Sequence, residues 1–162
     1  MKQILITLLA VLILLAVNFS IYQKEKLLKQ GQSFFLELAP VDPRSLMQGD
    51  YMILRYKIAD EVTAEQADGR LVIEPDENKV AHFKMLYDDK TPLTENQQLL
   101  RFRKRGDTIR LGAESFLFQE GHADLYRNAR YGELKIAESG ESILISLRDE
   151  AFNLLGTQST AQ

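Results

Sequence analysis

Cysteine is absent from the 162-residue chain, and histidine occurs only twice. Without cysteine the chain can form neither a disulfide nor a thiolate-bound metal site, although this absence is compatible with an oxidising compartment. Neither His82 nor His122 has a second histidine four residues away, the spacing of a helical metal site. We therefore expect no bound transition metal and no other cofactor.

Basic charge is scarce outside the N-terminal region. The formal net charge of the chain is −3, and the first 29 residues hold four lysines and one glutamate, a net charge of +3. The remaining residues therefore carry a net charge of −6. Because nucleic-acid-binding domains need a concentrated basic surface, we expect no nucleic-acid partner.

Charge is also absent from one long apolar run, residues 4–21, which reads ILITLLAVLILLAVNFSI. As a helix these residues would span about 27 Å, close to the hydrocarbon thickness of a bilayer. Tyr22 follows at a position that suits the membrane interface, as do three lysines, Lys24, Lys26 and Lys29. A cleaved signal peptide is the alternative, but Ala16-Val17-Asn18 is a poor cleavage site. We predict a signal-anchor helix over residues 1–23, which binds the lipid bilayer through residues 4–21. A juxtamembrane linker, itself a helical extension, should cover residues 24–32.

Beyond residue 32, short alternating stretches separated by frequent turns predict a mainly β (α+β) domain over residues 33–155. We expect a small antiparallel structure, partly rolled or sandwich-like, with one or two short helices and a disordered tail over residues 156–162. The predicted strands are 33–39, 51–58, 71–73, 79–87, 98–104, 108–111, 114–120, 132–138 and 142–148, and the predicted helices are 60–67 and 122–130. The predicted core contains Leu54, Tyr56, Phe102, Phe116, Phe118, Ile143 and Ile145.

The stretch Gly49-Asp50-Tyr51-Met52-Ile53-Leu54-Arg55-Tyr56 predicts a turn followed by a strand. Glycine and aspartate favour turns, and the residues after them alternate in polarity. One face carries Met52, Leu54, Tyr56 and Ile58 and should point into the core. The other carries Tyr51, Ile53, Arg55 and Lys57 and should meet solvent or a partner.

Five of these residues, Gly49, Asp50, Tyr51, Leu54 and Tyr56, match the Gly-Asp-Tyr-x-x-Leu-x-Tyr signature of the GDYXXLXY family of bacterial membrane-anchored proteins. The chain resembles that family in its lead-in as well, at Asp42-Pro43-Arg44. The later segment from Glu114 to Gly121 is similar to a second family segment, and the resemblance spans roughly residues 35–147.

The resemblance implies a topology and a partner more than an activity. It suggests that the domain lies on the extracytoplasmic side of the bacterial cytoplasmic membrane, held by a single helix, beside a multi-pass membrane protein. The lysine distribution around the apolar run does not by itself favour that orientation. The residues that we single out for binding or for the motif are Arg44, Gly49, Asp50, Tyr51, Leu54, Arg55, Tyr56, Glu114, Glu120 and Gly121.

A catalytic alternative rests on Ser45. The segment from Ser45 to Tyr51 partly resembles the serine box of type I signal peptidases, although a methionine is displaced to Met47 and a proline is missing. That chemistry needs a lysine general base buried beside the serine, for which Lys79 or Lys84 are candidates. The alternative to this hydrolase is that Ser45 and Asp50 shape the turn by binding backbone groups.

Charged residues on two predicted strands allow two interpretations. If the strands are neighbours, Arg55, Lys57, Arg101 and Arg103 form a basic patch for anionic lipid or a partner's carboxylates. The favoured alternative is a solvated face that pairs with carboxylates such as Glu37 and Asp107.

Two carboxylates of the second matched segment need a separate interpretation. Glu114 and Glu120 would lie about 20 Å apart along one strand, too far for a catalytic acid–base pair. Each could instead accept a bond from Arg44 or Arg55. We therefore favour a non-enzymatic interaction domain, which the family resemblance implies docks on a membrane protein.

Overall fold

The computed structural model describes residues 2–39, 47–48 and 51–156, and for 47–48 it describes the backbone only. Helix α1 covers Lys2–Gln30, and the short helix α2 covers Lys57–Glu61. A single 3₁₀ turn covers Ala123–Tyr126. The strands are β1 Gln32–Glu37, β2 Met47–Gln48, β3 Tyr51–Ile53, β4 Asp68–Pro75, β5 Ala81–Leu86, β6 Gln98–Arg105, β7 Thr108–Arg110, β8 Ser115–Leu117, β9 Tyr131–Ile136 and β10 Ser142–Arg148.

Helix α1 is long and apolar enough to cross a membrane, and its apolar part is exposed along its whole length. This indicates a single-pass membrane protein. The helix does not break where the apolar run ends, since residues 24–30 of the predicted linker continue it. Leu27 is buried, and the N–H of Gly31 donates to the Leu27 carbonyl at 2.8 Å where the helix ends.

The strands form three antiparallel sheets, with strand orders β1-β9-β10, β2-β3-β8 and β5-β4-β6-β7. One hydrophobic core receives side chains from all three sheets, including Leu36 from β1, Met52 from β3, Leu71 from β4 and Leu134 from β9. The prediction of a mainly β chain with an N-terminal apolar helix, antiparallel sheets and few helices is therefore confirmed.

In the stretch after β3, the side chains point to the core or to solvent as predicted, but the backbone is not the predicted strand. The strand ends at Ile53 instead of continuing to residue 58, and α2 replaces both its end and the predicted helix over residues 60–67. Ile58 is buried within α2, and Val62, the first residue after the helix, is buried as well, so the burial of Ile58 does not by itself distinguish a strand from a helix. The alternating pattern was therefore compatible with a helix at Ile58, which the sequence prediction did not consider.

Burial in the last hairpin differs from the prediction because of a β-bulge. Leu144 pairs with Leu134 and Ser146 pairs with Glu133, so Ile145 has no partner across the ladder. The extra residue turns Ile145 outward, where it is 38% exposed. Of the predicted core, Leu54, Tyr56 and Phe102 are buried, Phe116, Phe118 and Ile143 are half-buried, and Ile145 was wrong.

Two further elements are shorter than predicted. The strand expected over residues 114–120 is limited to Ser115–Leu117, because a turn begins where the His122 N–H donates to the Gln119 carbonyl. The helix expected over residues 122–130 is reduced to one 3₁₀ turn. Arg130, directly before β9, already has extended hydrogen bonding on both sides, since its N–H donates to the Arg148 carbonyl and its carbonyl accepts from the Leu38 N–H.

Candidate functional site

The signature segment connects two sheets. At its start β3 pairs with β8, and the Leu54 N–H donates to the Glu114 carbonyl at 2.7 Å. Two residues later Tyr56 forms an antiparallel bridge with Leu38, next to β1, and the Ala39 N–H donates to the Arg55 carbonyl. The backbone between Leu54 and Tyr56 therefore joins the β2-β3-β8 sheet to the β1-β9-β10 sheet.

The tyrosine that ends the signature is the main side chain of this junction. Tyr56 is 1% exposed, and its hydroxyl donates to the Ala113 carbonyl at 2.6 Å. Burial raises the pKa of Tyr56 far above its ordinary value, and the negative charge of Glu114 adds to the effect. The ring packs against Gly132 of β9, where a Cβ atom would lie 3.0 Å from a ring carbon. Tyr56 is therefore a neutral structural residue.

Glu114 holds the turn before β8. Its carboxylate accepts the backbone N–H groups of Leu111 and Gly112, which fixes the chain that leads from β7 into β8. Arg55, one of the two arginines that could have bound Glu114 or Glu120, pairs with Asp60 at 2.7 Å. The described side chains therefore give Glu114 a structural role, and Arg55 is not its partner.

The outer side of the β3–β8 pair exposes three apolar side chains. Tyr51 lies opposite Leu117 in the ladder, and Ile53 follows Tyr51 on the same face. Leu117 is 77% exposed, Ile53 46% and Tyr51 37%. We call these three residues the signature face. Sequence analysis placed Tyr51 and Ile53 outward but missed Leu117, although its alternation with Phe116 and Phe118 was a usable signal.

A cleft of about 600 Å³ begins at Ile53 and runs beside the signature face. Besides the Arg55–Asp60 pair, its lining includes Asp107 and Arg110. The cleft that adjoins the signature face at Ile53 therefore carries charges of both signs. An apolar centre with a polar border of mixed charge is the usual composition of a protein–protein interface.

The remaining residues that the sequence analysis singled out divide into two groups. Arg44, Ser45, Gly49 and Asp50 lie outside the described residues. Glu120 is exposed, and Gly121 has a φ of +80°, a conformation that favours glycine, in the turn that follows β8.

The basic patch, the less favoured of the two interpretations of Arg55, Lys57, Arg101 and Arg103, does not form. β3 pairs with β2 and β8, whereas β6 pairs with β4 and β7, so the two strands are not neighbours. Arg55 pairs with Asp60, and Lys57 pairs with Glu37 at 3.1 Å, as the solvated alternative expected. Arg101 and Arg103 instead share a second cleft with residues that the sequence analysis did not group with them.

The two lysines considered as bases for Ser45 are both exposed. Lys84 pairs with Glu74 at 3.2 Å, and Lys79 lies in the turn between β4 and β5 with a φ of +64°. Neither has the burial that a neutral lysine base requires. Within the described ranges, no group of three histidine or acidic residues could hold a metal ion.

These features define a β-rich domain carried by one apolar helix, with a structural junction and an exposed apolar face at its signature. The family model for the GDYXXLXY protein matches residues 13–147, so the chain belongs to the GDYXXLXY family. Comparison with curated proteins and with solved structures found no match.

Proposed function

We propose that this protein is a non-enzymatic, membrane-anchored docking protein whose signature face binds an integral membrane protein. In this proposal α1 anchors the chain in the bacterial cytoplasmic membrane, and the β domain works on the extracytoplasmic side. The observation that carries the proposal is the exposure of Tyr51, Ile53 and Leu117 side by side on one sheet.

Two physical arguments favour a protein as the occupant of this face. Leucine, isoleucine and tyrosine are favourable to bury at an interface, and contiguous exposed apolar surface often marks a binding site. In addition, the adjacent cleft carries Arg55 and Asp60 as an ion pair. Such a mixed border suits a protein surface better than a uniformly anionic lipid surface.

Site-specific photocrosslinking in intact cells tests the proposal. A photoreactive phenylalanine derivative at position 117 or 53 should crosslink to the same integral membrane protein. The matched control is position 93, because Leu93 is an equally apolar side chain, 37% exposed, outside the signature face. Ile53→Asp should then abolish the product formed from position 117. Crosslinking to lipid alone, or the same product from position 93, would refute docking through this face.

The proposed side of the membrane has its own test. Since the chain has no cysteine, Lys90→Cys creates a unique thiol at an exposed position. A membrane-impermeant maleimide should label this thiol in intact spheroplasts without permeabilisation. Labelling only after the membrane is opened would place the domain in the cytoplasm.

A further inference from the structure

A second cleft, distinct from the signature face, lies between the β6–β7 hairpin and α1. Its volume is about 360 Å³. Five basic residues and two carboxylates line it, which leaves a net charge of three positive units: Lys24, Arg101, Arg103, Arg105, Arg110, Glu114 and Glu141. We call this the basic cleft. It stands out because the chain beyond residue 29 carries a net charge of −6.

Strand pairing forces the arginines of the basic cleft together. Arg101, Arg103 and Arg105 alternate along β6 and are exposed, while Phe102 between them is buried. Arg103 lies directly opposite Arg110 in the β6–β7 ladder. Like charges at directly opposite positions destabilise a sheet. Arg103 also lies opposite Asp68 of β4, but the described side chains form no ion pair between these two residues, so an anion in the basic cleft would relieve the repulsion.

The carboxylates of the basic cleft do not neutralise it. Glu114 is engaged with the backbone N–H groups of Leu111 and Gly112. Glu141 approaches only Arg101, at 4.0 Å. Among the described residues, no carboxylate forms an ion pair with Arg103, Arg105 or Arg110.

Lys24 sets the level of the basic cleft relative to the membrane. The apolar run of α1 ends at Ile21, and the helix continues without a break through Lys24. Three residues advance a helix by about 4.5 Å. The headgroup layer is about 5–7 Å thick on each side of the hydrocarbon core. A cleft that contains Lys24 therefore opens at headgroup level when α1 spans the bilayer.

We propose that the basic cleft binds the headgroup of an anionic phospholipid. This lipid lies in the leaflet that surrounds the C-terminal end of the apolar part of α1. Arginine guanidinium groups bind phosphate oxygens through paired N–H donors, and Arg103 and Arg110 provide two such groups at one ladder position. The inference rests on α1 as the anchor. It does not depend on docking at the signature face, and it holds for either orientation in the membrane.

Lipid retention by the full-length protein tests the inference. The chain is reconstituted in bilayers of equal phosphatidylglycerol and phosphatidylcholine, extracted into a mild neutral detergent, and analysed by native mass spectrometry. We expect phosphatidylglycerol to remain bound in preference to phosphatidylcholine. Arg103→Gln and Arg110→Gln should each lower its retention about fivefold, the effect of one basic residue at an anionic surface.

The matched control is Arg130→Gln, because Arg130 is exposed and lies outside the basic cleft. This variant should retain lipid like the parent. The two cleft variants should also melt no lower than the parent in detergent without anionic lipid, since they remove a repulsion. If Arg103→Gln or Arg110→Gln fails to fold, Arg105→Gln replaces it in the retention measurement, because Arg105 also lines the basic cleft and lies beside the β6–β7 turn.

Three results would overturn the inference. The first is equal retention of the two lipids, and the second is an equal loss of retention in Arg130→Gln. The third is displacement of phosphatidylglycerol by inorganic phosphate at low millimolar concentration, because a site for small anions does not need a lipid headgroup.

Discussion

The hydroxyl group of Tyr56 should stabilise the junction between the two sheets, and Tyr56→Phe removes that group alone. The ring is 1% exposed and its hydroxyl donates to the Ala113 carbonyl at 2.6 Å. Removing one partner of a buried hydrogen bond leaves the other unsatisfied, which costs about 1–3 kcal/mol. Tyr56→Ala also removes the ring and leaves a cavity, and should cost about 3–5 kcal/mol.

Denaturant unfolding of the full-length protein in mild detergent measures both effects, with a spectroscopic signal from the β domain. The matched control is Tyr87→Phe. The Tyr87 ring packs under Arg70, and among the described residues its hydroxyl has no hydrogen-bond partner. That variant should change the free energy of unfolding by less than about 0.5 kcal/mol.

A high-pH measurement checks the same reasoning independently. The pKa of Tyr56 is raised in the folded state, so its contribution to stability is complete below the unfolded pKa of about 10. That contribution is lost as the pH rises from there towards the folded value. Tyr56→Phe should abolish this part of the alkaline destabilisation. Equal stability of Tyr56→Phe and Tyr87→Phe, together with unchanged alkaline behaviour, would refute a structural role for the hydroxyl.

Two more predictions concern β9. In Gly132→Ala the new Cβ atom would lie 3.0 Å from the Tyr56 ring and 3.2 Å from Leu144, so overpacking should cost about 1–3 kcal/mol. The same denaturant unfolding in a Tyr56→Ala background should show a smaller loss of stability, and an undiminished loss would contradict the contact. Burial opposes ionisation of Glu133, but hydrogen bonds from Ser146 and Arg148 outweigh it and hold its pKa below the ordinary value. The stabilisation is therefore present above about pH 4.5 and is lost as the pH falls through the folded pKa. Glu133→Gln should cost about 1.5–3 kcal/mol at pH 7 and flatten the acid part of a stability–pH curve; an unchanged curve would refute this.

Facing was predictable from the sequence around β3, but backbone conformation was not. The side chains from Tyr51 to Ile58 were predicted to alternate between solvent and core, and each is exposed or buried as predicted. Only the backbone conformation differs from the prediction. A buried residue followed by another two positions later fits a strand, but the burial of Ile58 does not exclude the helix that this residue adopts. The end of β3 is set by contacts with distant parts of the chain, namely the hydrogen bond from the Leu54 N–H to the Glu114 carbonyl and the bridge between Tyr56 and Leu38.

The bulge in β10 lies beyond a single-sequence argument for a similar reason. Ile143, Ile145 and Leu147 show a regular period of two, yet only Leu147 is fully buried. A bulge shifts the face of every residue beyond it. Its position is set by the pairing of β10 with β9, which the polarity pattern of β10 alone does not record.

The basic cleft and the signature face differ in how far they could be predicted from the sequence. The basic cleft was partly predictable, because Arg101, Arg103 and Arg105 share a strand face and the short β6–β7 turn places Arg110 opposite Arg103. Lys24 could not be assigned to it, since its approach depends on how α1 packs against the domain. Of the signature face, Leu117 could have been recognised as an apolar residue on the outer side of its strand.

The signature face and the basic cleft are physically connected, because Arg110 lines both the basic cleft and the cleft beside the signature face. A headgroup phosphate bound in the basic cleft attracts the Arg110 guanidinium, which draws one positive charge away from the cleft beside the signature face, where Asp107 remains. A partner that binds this face would then meet a more negative border. Binding free energies are reciprocal, so such a partner must alter the affinity for anionic lipid by the same factor. Arg110→Gln removes the shared group, and each site should then bind independently of the other.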